Sequence, residues 1–110
     1  MKLSPAPSYE VEIVLINLSA ALSRARLLRN ETQVLAAQRA NISLATYVRM
    51  ESKQADQLAG ISIGSFFEAL CIVGYRDALL TLADPNNDTQ GALLLERKIP
   101  KRGRTLGRRM

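Results

Sequence analysis

The chain has 110 residues, of which 47% are apolar and 23% are charged, and its formal net charge is +5. This length suits one compact domain, and the apolar fraction excludes a wholly disordered chain. No run of about 18 apolar residues predicts a transmembrane helix, and residues 1–8 contain no apolar run typical of a secretory signal.

The composition argues against enzymatic chemistry. Histidine is absent, which excludes an imidazole general base and the Ser–His and Cys–His nucleophile pairs. The single cysteine, Cys71, cannot form an intramolecular disulfide, and without histidine it does not suggest a metal site. We therefore expect a cytoplasmic protein that is not an enzyme and has no cofactor, with Cys71 as an inert packed thiol.

Charge is distributed unevenly along the chain. Residues 97–110 contain seven basic residues and no acidic one, residues 18–53 have a net charge of +4, and residues 54–96 have a net charge of −5. A basic segment followed by an acidic one suggests two faces for two kinds of partner. The tail at 97–110 is either a solvated end or a binding segment for nucleic acid or an acidic partner.

The first predicted helix follows a flexible arm at residues 1–8. Ser8 can cap this helix, and apolar residues then recur with the spacing of a helical face over about five turns. They are Val11, Val14, Leu15, Leu18, Ala21, Leu22, Ala25 and Leu28. We expect this helix to cover residues 9–29 and Asn30 to end it, because asparagine tolerates a left-handed backbone.

Four further short helices are predicted. Thr32 caps one that ends near Ala40, and Ser43 caps the next, which turns Tyr47 and Met50 inward. Residues 52–60 are polar and predict a loop.

The helix after Ser62 should end at Gly74, with Ile63, Phe66, Phe67, Leu70 and Val73 in the core. The last predicted helix covers residues 76–83, before Asp84-Pro85-Asn86-Asn87 breaks the chain. Residues 92–97 predict one more turn or a short strand. The fold class is thus all-α, with one domain over residues 9–96 and a basic tail from residue 97.

Residues 32–51 have the pattern of a helix-turn-helix. A short capped helix is followed by a tight turn and by a second capped helix. Ala37 is small where the two helices must approach, Asn41 can adopt a positive φ, and Ile42 is apolar between them. In such a motif the second helix can enter a DNA major groove.

Thr32-Gln33, Ala37, Ile42-Ser43, Thr46 and Met50-Glu51 resemble the Xre/Cro-type helix-turn-helix of phage repressors and bacterial regulators. The resemblance implies a five-helix phage-repressor-like domain that binds double-stranded DNA sequence-specifically, as a dimer on a two-fold operator. Asn41 replaces the glycine usual at the turn, and Glu31 replaces an apolar residue.

Other segments are similar to a narrower subgroup, the antitoxin-like regulators that accompany Hip-type toxin kinases. These segments are Ile61-Ser62-Ile63-Gly64, Ala69-Leu70, Gly74, Leu82-Ala83-Asp84-Pro85 and Lys98-Ile99-Pro100-Lys101-Arg102. This similarity implies a Hip-type kinase as a candidate partner.

The resemblance also implies which residues contact DNA. Base edges would be met by Leu44, Ala45 and Arg49, and the DNA backbone by Gln33, Thr46 and Lys53. The full set of implied DNA-binding positions is Gln33, Ser43, Leu44, Ala45, Thr46, Arg49 and Lys53.

The family further implies an ion pair between Arg26 and Glu51, which would fix the angle between the first and third helices. The alternative is that Glu51 faces solvent near Lys53.

An alternative function uses the same segment differently. Leu44 and Val48 give the second helix of the motif an apolar outer face, so the motif could be a degenerate one that binds a partner protein instead of DNA. A set of leucines beyond the needs of a five-helix core is the candidate dimer surface: Leu79, Leu80, Leu82 and Leu93 to Leu95.

Overall fold

The structure, a computed structural model, describes residues 6–98. The predictions for the start of the arm and for most of the basic tail therefore lie outside the described residues. Residues 6–98 are helical and contain no strand, which confirms the all-α class and excludes the strand considered at 92–97. Within the same residues, no helix is long and apolar enough to cross a membrane.

Seven α-helices follow one another in residues 6–98. They are α1 (Tyr9–Leu28), α2 (Gln33–Ala40), α3 (Leu44–Met50), α4 (Ala55–Leu58), α5 (Ile63–Leu70), α6 (Arg76–Leu82) and α7 (Thr89–Lys98). A kinked segment, Cys71–Tyr75, whose backbone is non-helical at Val73 and Gly74, joins α5 to α6. A 3₁₀ turn, Pro85–Asn87, lies between α6 and α7. The chain divides between Arg76 and Asp77 into two compact units, within the stretch that the sequence predicted to be one domain.

Side-chain caps begin four of these helices, as predicted. The hydroxyls of Ser8, Thr32, Ser43 and Ser62 each accept a hydrogen bond from the backbone N–H three residues later. Each cap satisfies a donor that the first helical turn leaves unpaired. Two asparagines reverse the chain after a helix with left-handed backbones, Asn30 (φ 55°) and Asn41 (φ 57°).

The core of the first unit is small and is built from five helices. α1 packs on α4 and on the kinked segment, while α2 packs on α3 and α5. Its largest fully buried side chains are Leu22, Tyr47, Met50, Leu58 and Leu70. Burying a side chain of this size stabilises a fold by about 1.5–3 kcal/mol.

Two predictions about the middle of the chain are wrong. Residues 52–60 are not a plain loop, since they contain α4, and Leu58 fills the core from it. Ile63 is 69% exposed although it was assigned to the core, because it is the first residue of α5 and lies at the edge of the buried face. Phe66 and Leu70 are buried as predicted, whereas Phe67 and Val73 are half-buried.

Gly74 marks the bend between α5 and α6. Its φ is +100°, in the left-handed region that favours glycine, so the helical backbone is interrupted there as predicted.

The second unit, described from Asp77 to Lys98, buries none of its residues. Asp84 caps the 3₁₀ turn by accepting a hydrogen bond from the N–H of Asn86 at 2.9 Å. Asp88 accepts one from the N–H of Gly91, also at 2.9 Å, at the start of α7. α7 is a ten-residue helix where one turn was expected, and it includes Arg97 and Lys98 from the predicted tail.

Candidate nucleic-acid interface

α2 and α3 are joined by three residues in a compact turn. Ala36, Ala37 and Ala40 are buried on α2, so their small side chains allow the helices to approach closely. After α2, the N–H of Asn41 donates to the carbonyl of Gln38 and that of Ile42 to the carbonyl of Ala37. These bonds close the end of α2 around the left-handed Asn41 and set the direction in which α3 leaves.

α3 has one buried side and one exposed side. Tyr47 and Met50 are almost completely buried. Helical spacing places a contiguous set of exposed residues on the opposite side: Leu44, Ala45, Val48 and Arg49. The four therefore form an outer face, which is called the α3 outer face below.

Ser19 of α1 holds the end of α3 and was not singled out from the sequence. Its hydroxyl is fully buried, donates to the carbonyl of Met50 at 2.6 Å and accepts from the N–H of Lys53 at 3.0 Å. One hydroxyl thus pairs a carbonyl and an N–H that the helix end would leave unsatisfied. A serine at a core-facing position of an otherwise apolar stripe was the signal that could have found it.

The implied ion pair between Arg26 and Glu51 is present. Nε of Arg26 lies 2.7 Å from Oε2 of Glu51 and Nη2 lies 3.0 Å from Oε1, which makes the pair bidentate. Nη1 of Arg26 also donates to the carbonyl of Glu31 at 2.8 Å. Glu51 is buried, so the alternative that it faces solvent near Lys53 is wrong, and the pair fixes α3 on α1.

The electrostatics of this pair follow from its burial. Burial alone would raise the pKa of Glu51, but the hydrogen bonds from its partners, above all Arg26, outweigh burial and hold the pKa below its usual value. The same carboxylate raises the pKa of the Arg26 guanidinium. Burial raises the pKa of the neighbouring Tyr47 far above its usual value. Both members of the pair are therefore charged at neutral pH while Tyr47 is neutral.

Gln33 joins the same network. It is the first residue of α2, and its Nε2 donates to Oε1 of Glu51 at 3.1 Å. A carboxamide nitrogen carries two N–H groups, so one remains for the phosphate contact that the resemblance implies.

Ser43, Thr46 and Lys53 have structural contacts of their own. The hydroxyl of Ser43 accepts from the N–H of Thr46 at 3.1 Å and donates to its Oγ1 at 2.9 Å. Lys53 has a left-handed backbone, with φ 60°, and its Nζ lies 3.4 Å from the carbonyl of Glu51. The hydrogen bond from the backbone N–H of Lys53 to the hydroxyl of Ser19 holds this unusual backbone conformation in place.

Several basic residues around α3 are held by the fold. Arg39 forms a 2.8 Å ion pair with Glu31, and Arg29 donates to the carbonyls of Ala25 and Val73. Arg49 differs from them because it is exposed and forms neither an ion pair nor a side-chain hydrogen bond with any residue in the described range. It is the basic side chain on the α3 outer face.

Within residues 6–98, no group of three or more His, Cys, Asp or Glu side chains could hold a metal ion. Cys71 is a half-buried free thiol at the start of the kinked segment.

Comparisons with models of protein families, with curated proteins and with solved structures give no match to this chain.

Proposed function

We propose that the protein is a sequence-specific DNA-binding transcriptional regulator of the Xre/Cro type, which acts in the cytoplasm as a homodimer on a two-fold operator. One observation carries the proposal. α3 is fixed to α1 on its inner side by Ser19 and by the Arg26–Glu51 pair, while its outer face exposes Arg49, whose side chain has no partner among residues 6–98. A helix that reads DNA needs both a fixed orientation and side chains that are available to base edges.

Three of the four residues of the α3 outer face have a base-contact role that their chemistry allows. Arg49 can donate two hydrogen bonds to a guanine edge, and Leu44 and Ala45 can contact thymine methyl groups. Gln33, Ser43, Thr46 and Lys53 are assigned to phosphates at the two ends of the α2–α3 pair. Phosphate contacts position a protein on the duplex, whereas base contacts specify the sequence.

The charge of this region supports the same function. Residues 18–53 have a net charge of +4, and the two acidic residues among them, Glu31 and Glu51, are both engaged in ion pairs. Neutralised carboxylates repel phosphate less than free ones do. Binding should therefore weaken steeply as salt increases, because bound phosphates release their counterions.

The test is a fluorescence anisotropy titration of the protein on duplex DNA from its own promoter, in a series of salt concentrations. We expect Arg49→Ala to weaken binding by about 1–3 kcal/mol and to relax the preference at one base position. Arg24→Ala is the matched control, because it removes the same charge from an exposed position of α1. No binding at low salt would contradict the proposal, and an equal loss on unrelated DNA would make Arg49 a phosphate contact.

We extend the proposal to an antitoxin-like role with a Hip-type toxin kinase as partner. Residues 54–96 have a net charge of −5 and are left for protein contacts when residues 18–53 face DNA. Co-expression of the chain with a kinase encoded beside it, followed by co-purification, tests this step. Recovery of the kinase without the regulator would contradict it.

A second candidate function is binding of a partner protein through the α3 outer face. Leu44 and Val48 favour it, since they are 44% and 43% exposed and exposed apolar side chains close together are typical of protein contacts. Leu44→Gln separates the two functions. It should remove partner binding if a protein occupies this face, and it should change base preference if DNA does.

A further inference from the structure

The first half of α1 presents apolar side chains that the core does not use. The residues that α1 buries are Ser19, Leu22 and Ala25. The preceding residues include five large apolar side chains that are 36–77% exposed: Tyr9, Val11, Val14, Ile13 and Ile16. Val11 and Val14 continue the same helical stripe as Leu22 and Ala25, and among residues 6–98 nothing buries this part of the stripe.

Residues 9–18 of α1 have only acidic charges. Glu10 and Glu12 lie in the first turn, and α1 contains no basic residue before Arg24. The segment therefore combines exposed apolar side chains with an acidic end, and a complementary partner would be an apolar helix with a basic end.

α7 has these complementary properties. Leu93, Leu94 and Leu95 are 51–61% exposed, and the last turn contains Arg97 and Lys98. Ten residues of helix are about 15 Å long, so α7 and residues 9–18 of α1 match in length. When two such helices run antiparallel, the basic end of α7 lies beside Glu10 and Glu12.

We propose that a second copy of this chain covers residues 9–18 of α1 with its α7, and that the exchange is reciprocal. A two-fold axis then forms the same contact twice, as an isologous dimer requires. The inference rests on the proposed function for the need for a dimer, and it names the surface that forms it. This surface pairs α7 with the first half of α1, where the sequence alone suggested the leucine-rich segment by itself.

Reciprocal charge reversal tests the exchange, with the mass in solution measured by light scattering after gel filtration. The wild-type chain should have twice its 12.1 kDa mass. Glu10→Lys/Glu12→Lys and Arg97→Glu/Lys98→Glu should each shift the protein to the single-chain mass, because like charges then meet at both contacts. An equimolar mixture of the two variants should regain the double mass, since both contacts in the mixed dimer pair opposite charges. A wild-type chain of single mass, or a mixture that stays at single mass, would overturn the proposal.

Apolar variants give a second measurement that does not depend on charge. Val14→Gln and Leu94→Gln should each raise the dissociation constant of the dimer by about tenfold or more. Leu28→Gln is the matched control on α1, since Leu28 is exposed and lies outside residues 9–18. Circular dichroism should show that each variant remains helical, which separates loss of the dimer from loss of the fold. Equal effects of Val14→Gln and Leu28→Gln would overturn the proposed surface.

The same samples separate this inference from the proposed function. If the mixture regains the dimer and the wild type binds no DNA, the interface stands and the DNA-binding function falls. If the wild type binds its promoter and the mixture does not regain the dimer, the interface falls and the function stands.

Discussion

The two halves of α1 have similar apolar spacing and opposite surroundings. From Ser19 to Leu28, α1 buries Leu22 completely, holds Met50 and Lys53 through Ser19, and pairs Arg26 with Glu51. From Tyr9 to Leu18 none of its side chains is buried, and Val14 is 54% exposed. Periodicity therefore identifies a face suited to burial, whereas the contacts available to each turn decide whether burial occurs within the chain.

The polar residues of the second half explain why it is fixed. Ser19 and Arg26 lie on either side of Leu22 along the helix, and both reach the end of α3. The apolar stripe supplies stability without specifying an angle, because the hydrophobic effect has no direction. The directional bonds of Ser19 and Arg26 then set the orientation of α3.

The largest expected effect is a difference in the free energy of unfolding between substitutions in the two halves of α1. Leu22→Ala should lower the free energy of unfolding by about 2–5 kcal/mol, because it opens a cavity in the core. Val14→Ala should act only through the dimer, so its effect should vanish as the protein is diluted. Urea unfolding at several protein concentrations measures both. A large loss of unfolding free energy for Val14→Ala at the lowest protein concentration would show that Val14 stabilises the single chain, which would contradict the contrast between the two halves.

The ion pair gives the next largest effect. Arg26→Ala leaves the buried carboxylate of Glu51 without its main partner and should cost roughly 2–4 kcal/mol, between an exposed pair and a fully buried one. Arg39→Ala is the matched control, because Arg39 also pairs with a glutamate but its side chain is 51% exposed. The Glu31 side chain is only 9% exposed, so Arg39→Ala should cost more than the loss of a fully exposed pair but less than Arg26→Ala. Equal losses in chemical unfolding would show that the Arg26 pair does not fix α3.

Ser19→Ala should have a smaller effect on stability. It leaves the Met50 carbonyl and the Lys53 N–H without their partner, at a cost of about 1–3 kcal/mol. Ser23→Ala is the control, since Ser23 is a half-buried serine on the same helix that forms no side-chain hydrogen bond with a described residue. Amide hydrogen exchange should become faster at Lys53 in Ser19→Ala alone. Unchanged exchange there would contradict the role of Ser19.

The pH dependence of stability, which tests the Arg26–Glu51 pair again, is the smallest expected change. Because the pKa of Glu51 is lower in the folded chain, the unfolded state takes up its proton first as pH falls. The stability that Glu51 contributes is present above its ordinary pKa of 4.5. It is lost as pH falls through the lower pKa that Glu51 has in the folded chain. Urea unfolding between neutral and acidic pH measures this loss. Glu51→Gln should lose less stability over the same range, and an identical profile would contradict the shift.

Local signals in the sequence predicted most of the local structure. The caps at Thr32 and Ser43 and the turn at Asn41 follow from side chains that bond their own backbone, so neighbouring residues are enough to find them. The inner residues of α3 follow from helical spacing. α4 was not predicted because its four residues show no periodicity of their own. Leu58 is buried through contacts with distant parts of the chain.

The sequence predicted only part of the candidate interface. The Arg26–Glu51 ion pair was predicted from a family resemblance. The role of Ser19 depends on how α1 crosses the end of α3, which no local pattern contains. Exposure of the first half of α1 likewise depends on where the core ends. Long-range packing decides these features, so spacing along the chain could not reveal them.

Selection from a pool of random duplexes shows whether the α3 outer face reads DNA. We expect enrichment of a two-fold sequence whose half-sites lie about one helical turn apart. Arg49→Ala should lose the preference at one position of each half-site and keep the others. Failure to enrich any sequence, or an unchanged preference in Arg49→Ala, would contradict DNA reading by the α3 outer face.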